Sequence, residues 1–277
     1  MSRAETKGKQ KEKSKKKDLV YYIIMLILLA VMIFSGIKVY LIASEYKEGT
    51  DAYNDIAEDV GANPRDEKDP AHLDTRLSLD WDKLKEKNDD VTAWIRCTGT
   101  IINYPIVQGN DNEYYLNHLL DGTWNGKGTI FVDARCERPF DGFLTIVYGH
   151  RMRDMGRSMF TTLEDYLASK DPSFFAEHPV MEIYTPDENY DLQIFGAAII
   201  SAYDEFLYNN YISTEDEIQR YIDWIFAHNS LVGYDNSVSV MPTDSIVMMS
   251  TCMPTAADDD KRIVVWGKLV KAKNAAE

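Results

Sequence analysis

Between Leu19 and Ile37 the chain reads LVYYIIMLILLAVMIFSGI, nineteen residues without a charge. A helix over this run is about 28 Å long, close to the ~30 Å hydrocarbon thickness of a bilayer. A buried core helix of that length normally keeps a polar face, and this run has none. Lys15, Lys16, Lys17 and Asp18 precede it and Lys38 follows. Residues 1–17 carry eight Lys or Arg and two Glu, a net +6, which leaves −21 of the total of −15 for the remainder. The lysine bias predicts a cytoplasmic N-terminus and a bulk that lies outside. A cleaved signal peptide would have a shorter apolar core and a small residue opening its cleavage site, where this chain has Leu41-Ile42-Ala43. The expected organisation is a basic cytoplasmic tail (1–18), a transmembrane anchor (19–37), an extracytoplasmic stalk and linker (38–76) and a globular domain (77–277).

This placement restricts the chemistry. A domain with strong negative charge does not bind nucleic acid broadly, because that needs basic patches against phosphate. An exported domain has no ready ATP supply, and no GxxxxGK[ST] or GxGxxG occurs. Group transfer or hydrolysis without a nucleotide fits better. Three cysteines cannot all pair within one chain, so this is not a disulfide scaffold.

Past a polar stretch the chain is rich in strand signals. Glu45–Val60 is expected as a stalk helix, and Gly61–Asp74 as a linker. Eight β-rich runs follow: Thr92–Cys97, Ile101–Gln108, Gly128–Asp133, Leu144–Gly149, Val180–Thr185, Leu192–Ala202, Ser245–Thr251 and Ile263–Val270. Separated by turns, they predict a mainly β fold, a closed or nearly closed barrel. Helices are expected at Asp80–Glu86, Asn112–Leu120, Asp171–His178 and Thr214–His228. In the last, Thr214 and Glu217 form a capping-box pattern. Ile218, Tyr221, Ile222 and Ile225 follow at helical spacing, a stripe that packs on the barrel.

Of the histidines (His72, His118, His150, His178 and His228) no two have HxxxH spacing, and no CxxC occurs, so no metal site is expected. His150 ends a strand beside Gly149, where loops begin and sites are usually built. Taken alone, a histidine here is more often structural or merely exposed than functional. Cys252 also stands at a strand end, and Arg262 opens the next strand. Consecutive strands usually neighbour one another, which predicts that Cys252 and Arg262 lie side by side. A guanidinium beside a thiol favours the nucleophilic thiolate. The alternatives are a small buried hydrophobe for Cys252 and a solvated charge for Arg262 beside Asp258, Asp259 and Asp260. Cys97 and Cys136 lie in no motif, and their spacing leaves open whether they pair.

These pieces resemble one family. Tyr148-Gly149-His150-Arg151-Met152 with Ser158-Met159-Phe160, Ser250-Thr251-Cys252, and Arg262 with Ile263-Val264-Val265 resemble the histidine, nucleophile and arginine segments of class B sortases, cell-wall transpeptidases of Gram-positive bacteria. Tyr104–Gly109, Asp111–Leu116 and a long helix before the nucleophile strand are similar to that class as well. The likeness covers about Leu77 to Val270. It implies a closed eight-stranded sortase-type barrel with N-terminal helices and an inserted helix, preceded by one transmembrane helix.

The resemblance implies a mechanism. Cys252 attacks the carbonyl of a Thr in the C-terminal sorting signal of a secreted protein. His150 protonates the leaving amine, and Arg262 stabilises the oxyanion. A peptidoglycan-precursor amine of the lipid II type then resolves the thioacyl-enzyme. No cofactor or metal is implied. Substrate contacts are expected from Asn112, Leu116, Ser250, Tyr211 and Ile212. The likeness leaves open NPQTN-like signals against pilin polymerisation through a lysine. The residues themselves leave open a peptidase using water, and an inactive binding barrel.

Overall fold

The computed structural model describes residues 3–62, 76–167, 172–234, 237–253 and 258–272, with side chains from Leu19 onward. His72, Asp171 and most of the expected linker lie outside the described residues. The chain divides into two compact units, Met1–Lys47 and Glu48–Glu277.

The first unit is helical. It holds most of α1 (Arg3–Asp59), and the apolar side chains of Leu19–Ile42 are exposed along it. Among the described residues this is the one helix long and apolar enough to cross a membrane.

The second unit begins before the expected Leu77. In the last turns of α1, Tyr53 and Ala57 are buried, as are Val60 and Ala62 just beyond. The Tyr53 hydroxyl hydrogen-bonds the Gly128 carbonyl at 2.7 Å and the Thr129 hydroxyl at 2.8 Å. The expected stalk helix therefore ends as part of the globular unit, because two apolar side chains and one phenol on it find partners there. Gly61 stops the helix at φ +79°, and the Ala62 amide donates back to the Ala57 carbonyl. That left-handed turn is one glycine adopts without strain.

All eight expected strands are present: β1 (Val91–Arg96), β2 (Asn103–Val107), β3 (Ile130–Val132), β4 (Leu144–Tyr148), β5 (Val180–Tyr184), β6 (Asn189–Ser201), β7 (Ile246–Cys252) and β8 (Lys261–Lys271). They close into a barrel in the order β1-β2-β3-β4-β7-β8-β6-β5. Closure leaves no unpaired sheet edge. The β2–β3 and β4–β7 pairs are parallel and the others antiparallel. Trp94 and Trp266 are among the largest fully buried side chains.

Among the described residues, the α-helices α2 (Trp81–Lys87), α3 (Phe174–Glu177) and α4 (Glu215–Ala227) pack with the barrel. Asp80 caps α2 by accepting the Lys83 amide. The capping box of α4 is complete, with Thr214 and Glu217 each accepting the other's amide. The expected stripe of Ile218, Tyr221, Ile222 and Ile225 is buried against Phe195, Ile146, Met248 and Trp266. Each such side chain is worth about 1.5–3 kcal/mol. The expected helix over Asn112–Leu120 is not formed. Only a 3-10 turn, Tyr114–Leu116, is present. The Asp111 carboxylate accepts the amides of Glu113 and Tyr114 and tightens that turn. Beyond it the backbone bonds across the loop instead, Asn125 amide to Asn117 carbonyl and Leu119 amide to Thr123 carbonyl.

Candidate active site

Strand register brings three side chains to one rim of the barrel. β4 and β7 run parallel with Tyr148 beside Ser250, and the Gly149 amide continues the ladder to the Ser250 carbonyl at 3.2 Å. Two residues past the Tyr148–Ser250 pair each strand reaches a functional type, His150 on one and Cys252 on the other, both at the same cleft. β7 and β8 run antiparallel with Cys252 opposite Arg262. Gly149 is required where it stands: a β-carbon there would lie 2.5 Å from the Phe160 ring.

The three residues line one open cleft of about 700 Å³. Asn112, Leu116 and Arg135 stand on its walls, as do Tyr148, Asp204, Glu205 and Tyr208. Of the expected substrate residues, Asn112 and Leu116 are therefore in the cleft. The Asn112 side-chain oxygen also accepts the Ala134 amide at 2.7 Å, which fixes the loop it sits on. Ser250, Tyr211 and Ile212 are not among the lining residues. Ser250 is buried, and its hydroxyl hydrogen-bonds that of Tyr208 at 2.8 Å. It supports a wall instead of forming one. Tyr211 is 64% exposed, and Ile212 packs on the core under α4. Both follow the loop past the cleft before α4 begins.

No sequence motif marks Asp133, which joins two residues of the cleft wall, Arg135 and Tyr148. Asp133 is fully buried and accepts hydrogen bonds from Arg135 and, at 2.8 Å, from the Tyr148 hydroxyl. Burial raises the Asp133 carboxyl, and the Arg135 and Tyr148 bonds outweigh that to hold it below the usual carboxylate range. Tyr148 in turn stacks on Tyr208, with centroids 6.1 Å apart. Tyr148 stands beside Gly149 and His150 in the sequence, but its partners come from distant segments.

All three cysteines are free. Cys97 and Cys136 are buried, and burial pushes the Cys97 thiol up to about 11 and raises Cys136 too. Both stay protonated and inert near neutral pH. Cys252 is half-exposed at the cleft. Arg262 is held by its own backbone neighbourhood, its Nη1 donating to the carbonyls of Asp259 and Lys261 at 2.8 Å. Among the described residues no carboxylate pairs with it. Nor is any group of three or more His, Cys, Asp or Glu among them placed to hold a metal ion.

His150 Nε2 lies 2.7 Å from the Leu116 carbonyl. A carbonyl only accepts, so Nε2 carries a proton and Nδ1 is the nitrogen left for proton exchange. Burial lowers the His150 pKa below its ordinary 6.5, against the opposing pull of the Leu116 carbonyl. The unfolded chain therefore takes up this proton first as the pH falls. The stability contributed by neutral His150 is complete above about pH 6.5 and is lost as pH drops through the folded value. Thermal melts from about pH 8 to about pH 5 check this. The wild type is expected to lose stability more steeply below pH 6.5 than His150→Gln, and equal slopes refute it.

Comparison with known proteins gives a consistent picture. The sortase domain family matches residues 95–270. The chain is 34% identical over 191 residues to sortase B of Staphylococcus aureus, covering 69% of this chain and 75% of that one. It is 32% identical over 247 residues to sortase B of Listeria monocytogenes, covering 88% and 94%. The structure of a Staphylococcus aureus sortase B–substrate complex superposes with a TM-score of 0.62 at 32% identity, covering 69% of this chain and 85% of that one.

Proposed function

The chain belongs to the class B sortases, a family of cysteine transpeptidases, and on that premise we propose that Cys252, His150 and Arg262 carry out its acyl transfer on exported proteins. The observation that carries the reading is the register that sets Cys252 opposite Arg262 and His150 at the same rim. The thiol proton of Cys252 passes to His150 Nδ1. The thiolate attacks the carbonyl carbon of a Thr in a C-terminal sorting signal, and Arg262 donates to the developing oxyanion. The carbon–nitrogen bond breaks, and Nδ1 returns the proton to the leaving amine. A cell-wall precursor amine then attacks the thioester, gives its proton to Nδ1, and the sulfur leaves. A histidine whose pKa lies near or below ~6.5 can serve in both directions. Asn112 and Leu116 contact the signal along the cleft.

Residues 1–18 stay in the cytoplasm, Leu19–Ile37 span the membrane, and the barrel works outside, where both substrates are. The lysine asymmetry supports this orientation.

The test uses full-length protein in detergent micelles with a peptide carrying an NPQTN-like signal. Cleavage is expected after Thr, and added triglycine or hydroxylamine is expected to divert product from hydrolysed to ligated. If saturating amine leaves hydrolysis as the sole outcome, the protein acts as a peptidase and the transfer proposal fails.

A further inference from the structure

Lys127 is fully buried, and it is outside the cleft. Its Nζ lies 2.9 Å from Asp154 Oδ2 and donates to the Ser158 hydroxyl at 2.5 Å. That hydroxyl donates in turn to Asp154 Oδ2, and the Ser158 amide donates to Asp154 Oδ1 at 3.0 Å. Burial alone would raise the Asp154 carboxyl. The Ser158 hydroxyl and amide, with Lys127, hold it below the usual carboxylate range. A buried pair of this kind is weak evidence for stability, since desolvation offsets the attraction, and its better-attested use is to fix one arrangement.

What it fixes is visible in the two segments it joins. Lys127 ends the loop that carries Leu116. Within that loop the Lys127 amide bonds the Asn125 side chain, the Asn125 amide bonds the Asn117 carbonyl, and the Thr129 amide bonds the Tyr115 carbonyl. Movement at Lys127 is therefore passed to Leu116, whose carbonyl holds His150 Nε2. Asp154 and Ser158 belong to the segment that leaves His150 and returns to it. Arg151 bridges to Met159, the Phe160 amide donates to the His150 carbonyl at 3.0 Å, and the Phe160 ring lies over Gly149. One segment grips the imidazole ring and the other grips its backbone.

We infer that Lys127, with Asp154 and Ser158, is a positioning residue for His150, an internal staple that locks together the two loops holding the imidazole. It touches no substrate and acts only through the histidine. The inference rests on the reading of His150 as the proton-transfer group.

The experiment compares Lys127→Met with wild type in the full-length protein, by signal-peptide cleavage and by ¹⁵N spectra of the histidine rings. The kcat is expected to fall about tenfold to a hundredfold with KM changed less than about twofold, the scale of an ångström-sized misplacement. The His150 Nε2–H signal is expected to be lost to exchange. Ser158→Ala, which keeps both charges, is expected to move both readouts the same way by a smaller factor, and it decides the matter if Lys127→Met does not fold. A folded variant with wild-type kcat and an unchanged His150 signal overturns the inference. So does a kcat loss that only tracks the unfolded fraction. An active His150→Gln protein would instead sink the acid–base reading on which the inference stands.

Discussion

Replacing Cys252 by Ala abolishes cleavage and transfer together, with signal-peptide turnover falling by about 10⁴-fold or more. Every bond change in the proposed cycle passes through its sulfur, so no residual step survives its loss. Folding is expected to be unaffected. Cys252 is half-exposed at the end of β7, and a methyl group in its place leaves no buried cavity. Peptide binding, read by calorimetry, is expected to stay within a few-fold of wild type. The contrast is with Cys97→Ala, which deletes a fully buried sulfur at the end of β1. It costs stability through the space it empties and leaves the rate of the folded enzyme alone. Quantified product by mass spectrometry separates the cases. A Cys252→Ala protein that still forms ligated product at more than background would remove the nucleophile from the proposal.

Much of this site is legible in the sequence, and the limits have physical causes. The strands can be read because β-branched and aromatic residues alternate between turn residues, and the pairing of Cys252 with Arg262 follows from adjacency of consecutive strands. The parallel pairing of β4 with β7 cannot be read this way. No local pattern encodes which distant strand lies beside Leu144–Tyr148, yet that contact is what carries His150 to the cysteine. The loop after β2 shows a different limit. Tyr115, Leu119 and Leu120 are buried and their spacing imitates a helix face. The Asp111 carboxylate and the cross-loop bonds to Thr123 and Asn125 override that propensity. The result is useful to the site, since a continued helix would turn the Leu116 carbonyl to its own amide partner instead of to His150. Ser250 fails as a cleft residue for a third reason. Sequence places it beside the nucleophile strand's end but says nothing of Tyr208, a residue from another loop, that covers its hydroxyl.

Arg262→Ala is expected to lower kcat by about 10²- to 10³-fold, or ~3–4 kcal/mol in the transition state, the usual loss on deleting an oxyanion donor. The geometry makes this a charge-and-fork effect, not one of charge alone. Nη1 is occupied by the carbonyls of Asp259 and Lys261, which orient the plane of the guanidinium from one side. A planar fork can be held by one nitrogen and donate from another. Lysine has a single nitrogen, so Arg262→Lys must either keep those carbonyls or reach the substrate. It is therefore expected to recover only about tenfold of the loss. Its position also matters to the thiol. Arg262 works within a chain of net charge −15, opposite Cys252 across a strand pair, so its positive field there is local and not the by-product of a basic surface. Single-turnover formation of the acyl-enzyme isolates the step. Peptide binding compared between Cys252→Ala and Cys252→Ala/Arg262→Ala measures the ground-state share. If that double variant loses affinity by the full factor while Arg262→Ala keeps its kcat, Arg262 clamps the substrate and the oxyanion is stabilised by another group.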